Sequence, residues 1–304
     1  MAPRRTEAVH KDAQGIDAQA PESILRLLAD AQADAARSVH AAIPEIAEAA
    51  EKVAASLAAG GRLVYAAAGS SGLMALADAL ELPGTFGIPR ERVFILLAGG
   101  AEALVNLAGA PEDDSAQAVR DVAATGLGKG DCLIAISASG STPFAMGALE
   151  EARRRGAATI AIANNSGAPM FGLAETSVLL ATPPEVVAGS TRMGAGTAQK
   201  IALNMMSTLA AIRLGHVHDG YMVNLVADNI KLHERAARIV AAVAGCEPGE
   251  AQALLERSGG SVKIAILLAA GAASLEAANR LLEGTDHKLR PALSKLEGSR
   301  GSHQ

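Results

Sequence analysis

From Pro21 to Ala59 apolar residues recur at three- and four-residue steps, at Ile24, Leu27, Ala31, Ala35, Val39, Ile43 and Ile46, which predicts two amphipathic helices. The pattern changes at Arg62. Leu63-Val64-Tyr65-Ala66-Ala67-Ala68 is a short unbroken apolar run ending in Gly69-Ser70-Ser71-Gly72, followed by a helical stretch to Leu82 and a stop at Pro83. Similar runs recur at Val93–Ala98, Cys132–Ile136, Thr159–Ala163 and Val178–Leu180, with segments rich in Ala, Glu, Arg and Leu between most of them. Continuous apolar strands alternating with helices predict a parallel sheet covered on both faces, in a doubly wound three-layer α/β domain. After Thr197 the pattern reads as all-helical: Ala198–Leu214, then a long run Tyr221–Val243, then a small C-terminal bundle of three helices, Pro248–Arg257, Ser261–Ala269 and Ser274–Leu282. Residues 1 to about 20 are polar without a sustained period, which predicts an arm that orders only against something else, and the tail from Lys295 is expected to be loose. The expected division is an arm and helices over 1–44, the sheet domain over 45–217, and a long helix with a helical subdomain over 218–304.

Composition narrows the possible partners. Half of the 304 residues are hydrophobic, enough to bury a real core. No apolar run approaches the roughly 18 residues of a membrane span, and Met1-Ala2-Pro3-Arg4-Arg5 leads into polar sequence, so the expected location is the cytoplasm. Cys132 and Cys246 have neither metal-ligand nor disulfide spacing and read as bystander thiols. A net charge of -5 with 2% aromatic residues argues against a nucleic-acid partner, so an anionic ligand must be held by local groups.

Two loops have the chemistry to do that. Open parallel sheets bind ligands beyond the carboxyl ends of their strands, where loops feed helix N-termini. Ser70-Ser71-Gly72 after the first strand and Ser137-Ala138-Ser139-Gly140-Ser141-Thr142-Pro143 after the third combine backbone that can approach an anion, free N–H groups, a helix dipole and hydroxyl donors. Either loop alone suits ordinary helix capping. The pair on one sheet predicts a phosphate cradle. Neither has the spacing of a dinucleotide fingerprint and no Walker-type Gly-Lys-Ser/Thr occurs, which argues against a nucleotide cofactor.

The paired serine loops resemble the SIS (sugar isomerase) domain. Pro184-Glu185-Val186-Val187-Ala188-Gly189-Ser190-Thr191-Arg192-Met193, followed by Ala195-Gly196-Thr197-Ala198-Gln199-Lys200, is similar to the signature of the N-acetylmuramic acid 6-phosphate etherases and the related glucokinase regulatory protein. The resemblance extends from Thr6-Glu7 through Asp78-Ala79-Leu80-Glu81, Asn204-Met205-Met206 and Asn229-Ile230-Lys231-Leu232-His233 into the helical tail, nearly the whole chain. It implies an SIS-type, flavodoxin-like sheet and an enzyme of peptidoglycan amino-sugar recycling. Such enzymes cleave the D-lactyl ether without metal or redox cofactor, by loss of the C2 proton, elimination and addition of water.

That chemistry needs an acid and a base. The resemblance implies Glu81 as the acid, and the second carboxylate falls on Asp113 or on its neighbour Glu112 in Pro111-Glu112-Asp113-Asp114-Ser115. Four positions depart from the family: Asp113 stands where glutamate is usual, Leu73 and Ser141 where arginine is usual, and Gly194 where lysine is usual. An etherase substrate carries both a phosphate and a lactate carboxylate, so losing those cations is expected to weaken its binding and to remove bidentate clamps. Arg192, Lys200, Lys231 and His233 are the candidates for the remaining charge, with Ser190 beside them and Glu185 to orient them. An isomerase or lyase for a lactate-free amino-sugar phosphate, or a non-catalytic sugar-phosphate sensor, are the alternatives. Ten helical residues between Ser71 and Glu81 span about 15 Å, more than one sugar phosphate covers, so a symmetric homodimer with composite sites is expected.

Overall fold

In the computed structural model, which describes residues 5–301, five apolar segments pair into one parallel sheet: β1 (Leu63–Ala67), β2 (Val93–Leu97), β3 (Cys132–Ser137), β4 (Ala158–Ala163) and β5 (Thr176–Leu179). Their order is β2-β1-β3-β4-β5. The chain steps one way from β1 to β2 and then crosses back to β3, so the switch point lies between β1 and β3, where Leu63 sits opposite Cys132. The loops leaving these two strands therefore emerge side by side at the carboxyl edge of the sheet.

Helices α1 (Pro21–Ser38), α2 (Ile43–Ala58), α3 (Gly69–Phe86), α4 (Ser115–Ala124), α5 (Pro143–Arg154) and α6 (Gly194–Arg213) accompany the sheet. Side chains alternate along each strand. Val64, Ala66, Leu133, Ala135, Ala161 and Ala163 point into a core with Val122 of α4 and Phe144, Ala148 and Leu149 of α5. The alternate set, Leu63, Tyr65, Ile134, Ile136, Ile160 and Ile162, is just as buried. On that side α2 packs on β1, β3 and β5.

One polar pin ties α3 and α6 to β1. Asp78, 5% exposed, accepts hydrogen bonds from the Tyr65 hydroxyl at 2.8 Å, from Asn204 Nδ2 at 2.7 Å and from the Ser207 hydroxyl at 2.9 Å. Burial and the Asp78 charge together hold the Tyr65 phenol well above its usual range, so it stays a donor. Asp78→Ala removes the acceptor of two buried donors and one half-buried donor and is expected to cost about 3 kcal/mol, read as a lower urea midpoint at unchanged slope. A loss under about 0.5 kcal/mol contradicts this structural role.

By internal contacts the chain divides into two compact units, one taking the residues up to Leu80 with Glu91–Leu209, the other Glu81–Arg90 with the chain from Ala210 onward. The second holds a short hairpin, β6 (Val217–His218) and β7 (Tyr221–Met222), then α7 (Ile230–Ala244), α8 (Pro248–Arg257), α9 (Val262–Ala269), α10 (Leu275–Glu283) and α11 (Leu289–Gly301). The expected helix over Tyr221–Val243 thus begins as the second hairpin strand and a loop, and is helical only from Ile230. Asp219 and Gly220, at φ 45° and 82°, supply the left-handed turn that an Asp-Gly pair favours, and the helix starts only where the Asn229 side chain caps the Leu232 N–H at 3.1 Å. The tail is not loose at Lys295 either: Leu289, Ala292, Leu293 and Leu296 lie at helical spacing and pack into the same core as α7 to α9, adding a fourth short helix to the bundle. Residues 302–304 of that tail lie outside the described residues, as do residues 1–4 of the arm.

Among the described residues no helix is long and apolar enough to cross a membrane. Burial pushes the Cys132 thiol up to about 12, which leaves it inert inside its strand.

Candidate active site

The two serine loops open on one cleft of about 300 Å³, within the range of small-ligand sites. Ser70 and Ser71, in the first turn of α3, meet Ser137, Ser139 and Thr142 of the loop that leads into α5. The second loop knits itself together: the Ser137 hydroxyl lies 2.8 Å from Thr142 Oγ1 and 3.2 Å from Ser139 Oγ, and accepts the Gly140 N–H at 3.0 Å. Gly140 makes the turn at φ 71°, and a Cβ there would stand 2.3 Å from that of Ala168. Thr142 is the N-cap of α5 but bonds none of its N–H groups, and Pro143 opens the helix. Two helix N-termini thus start at one cleft and favour a bound anion. None of the described residues lining it is Lys, Arg or His. A phosphate here is met by N–H and O–H donors.

Glu112 is an acidic side chain that lines the same cleft. It sits in a short 3₁₀ turn, Ala110–Asp113, that runs into Asp114, whose side chain caps α4 by accepting the Gln117 N–H at 2.7 Å. Its Oε1 lies 2.8 Å from where a Cβ on Gly69 would stand, and Gly69 itself is left-handed at φ 53°. Glycine there lets carboxylate and serine loop approach each other. Burial first, then the charge of Asp113, raises the Glu112 carboxyl above its ordinary value. Asp113 is exposed and does not line the cleft.

Other expected residues lie elsewhere. Gly72 is buried beneath Leu97, and Ser141 turns its hydroxyl to Ser139 Oγ at 3.2 Å. Glu185 is a buried cap, not a cleft residue: its two oxygens accept the N–H groups of Gly194 and Ala195 at 2.9 and 2.8 Å, which fixes the start of α6. Ser190 is half-buried outside the lining, between Gly189 and Thr191, which do line the cleft. Arg192 and Lys200 are exposed. Glu81, Lys231 and His233 belong to the other compact unit and are exposed. A tight fit surrounds Gly194, whose Cβ would stand 3.1 Å from both Ala35 Cβ and Glu185 Oε2.

The cleft also contains residues that the pattern of the chain did not single out as site residues. Thr6 and Glu7 of the arm line it, and Leu107 closes one side. Thr6-Glu7 stood at the start of the resemblance, the one signal that could have marked them.

Residues 28–164 match the SIS domain family. The chain is 45% identical to the N-acetylmuramic acid 6-phosphate etherase of Deinococcus radiodurans, over 97% of each chain. It is 41% identical to the enzyme of the same name from Streptomyces avermitilis, over 95% of this chain and 93% of that one. Among solved structures, a phosphoheptose isomerase from Francisella tularensis is 25% identical with a TM-score of 0.44, over 63% of this chain and 95% of that one, a likeness from which no chemistry follows.

Proposed function

The chain belongs to the N-acetylmuramic acid 6-phosphate etherases, and on that premise we propose that its cleft holds the phosphate of N-acetylmuramic acid 6-phosphate while two carboxylates move the protons of lactate elimination. The observation that carries this reading is the meeting of two hydroxyl-bearing helix starts with Glu112 in one cleft.

In the open-chain sugar the aldehyde at C1 acidifies the C2 proton. Glu112 takes that proton, the C3–O bond breaks, and an acid protonates the departing lactate oxygen. Water then adds across the new double bond, its proton to C2 and its hydroxyl to C3, giving N-acetylglucosamine 6-phosphate and D-lactate. A carboxylate raised by burial is a stronger base than an exposed one, which suits Glu112 better than Asp113 to the first step.

Glu81 is the acid in this scheme, and it reaches the sugar from a second copy of the chain. Its distance along α3 from the serine loop supports this, as does the exposed apolar edge formed by Leu73 at 37% and Leu80 at 58% on α3. Arg192, Lys200, Lys231 and His233 are the cations that could meet the lactate carboxylate in place of those absent at Leu73, Ser141 and Gly194. The purified protein is expected to elute as a dimer and to release D-lactate from N-acetylmuramic acid 6-phosphate. Binding of that substrate without release would leave only a sugar-phosphate binder.

A further inference from the structure

We propose that Glu7 is a specificity-determining residue of the cleft, accepting hydrogen bonds from the hydroxyl or amide N–H groups of the sugar, and that Thr6 and Asn165 form the latch that holds it there. The inference rests on the sugar-phosphate reading above and extends it to the arm. Thr6 is 4% exposed and uses every polar group it has. Its N–H donates to Asn165 Oδ1 at 3.2 Å, its hydroxyl accepts from Asn165 Nδ2 at 3.0 Å, and its carbonyl accepts the Gly189 N–H at 3.1 Å. The same Asn165 amide donates to the carbonyls of Ala138 and Ser139 at 3.2 and 3.4 Å. One buried side chain therefore fastens the arm to the second serine loop.

Ordering an arm costs backbone entropy, and the latch offsets it at the one place where the next residue faces the cleft. Glu7 lines that cleft, with Oε2 3.3 Å from the position a Cβ on Gly189 would take. Among the described residues no donor pairs with its carboxylate. A carboxylate only accepts, and it repels both a phosphate and a lactate carboxylate. What it can recognise is the part of the ligand that carries donors: ring or chain hydroxyls and the acetamido N–H. The cleft then has an end of donors for the phosphate and an acceptor for the sugar.

Calorimetric titration of the full chain with N-acetylglucosamine 6-phosphate and, separately, with inorganic phosphate tests this. Glu7→Ala is expected to weaken the sugar phosphate about tenfold, the scale of one hydrogen bond to a charged group, and to leave inorganic phosphate within about twofold. Thr6→Val should reproduce that selective loss and Thr6→Ser should not, with KM for turnover rising more than kcat falls. Glu7 is exposed, so Glu7→Ala reports on binding even if Thr6→Val destabilises the fold. Unchanged sugar-phosphate affinity in Glu7→Ala, or equal weakening of both ligands, overturns the proposal while leaving the etherase reading intact. A parent protein that binds neither ligand removes both.

Discussion

Glu112→Gln is expected to lower kcat by about a hundred- to ten-thousandfold, the range for loss of a general base, with substrate affinity nearly unchanged. Glutamine keeps the shape that fits beside Gly69 and removes only the proton acceptor. The base must be ionised to act, so in the parent enzyme kcat/KM falls as pH drops through the Glu112 pKa, which burial and Asp113 place above the ordinary carboxylate value. Asp113→Asn removes a charge that raises this pKa, so the acid limb should move to lower pH while the maximum rate stays close to parental. A Glu112→Gln enzyme within tenfold of parental kcat would assign the base elsewhere, and a matching loss in Asp113→Asn would assign it to Asp113.

Glu81→Gln should be nearly as damaging, with lactate release lost while N-acetylglucosamine 6-phosphate still binds. The acid gives its proton to the lactate oxygen, so the variant should keep the earlier half-reaction: C2 of bound substrate should still exchange its hydrogen with solvent, driven by Glu112. The two variants then differ in kind, since Glu112→Gln abolishes exchange and elimination together. If Glu81 acts from a second copy, mixing Glu81→Gln chains with Glu112→Gln chains restores up to about a quarter of parental activity, because about half of the dimers are mixed and each of these has one site with both carboxylates intact. No recovery on mixing, with both variants folded, places the two residues on one chain's site.

Much of the fold was legible because the five strands are unbroken apolar runs between glycine- and proline-marked turns, a pattern that a buried parallel sheet imposes. The β6–β7 hairpin was missed because its strands are two residues long and have no period to detect, although Asp219-Gly220 is a turn signal in itself. The last helix was hidden because Arg290, Pro291, Ser294 and Lys295, on its polar side, separate the apolar residues along the chain. At the site, glycines and hydroxyls mark the serine loops openly. Choosing between Glu112 and Asp113 needs the turn they share, since adjacent residues in a 3₁₀ turn point in different directions. Thr6 and Asn165 are 159 residues apart, and no local pattern predicts that they meet. Glu185 lies in the stretch that carries the family signature, and its two oxygens cap the start of α6.

Cleavage of the C3–O bond by elimination and rehydration is tested directly by turnover of N-acetylmuramic acid 6-phosphate in water labelled with oxygen-18 and deuterium. The predicted products are N-acetylglucosamine 6-phosphate with the label at the C3 hydroxyl and deuterium at C2, and D-lactate with no oxygen label. Label in the lactate, or an unlabelled sugar, would contradict it.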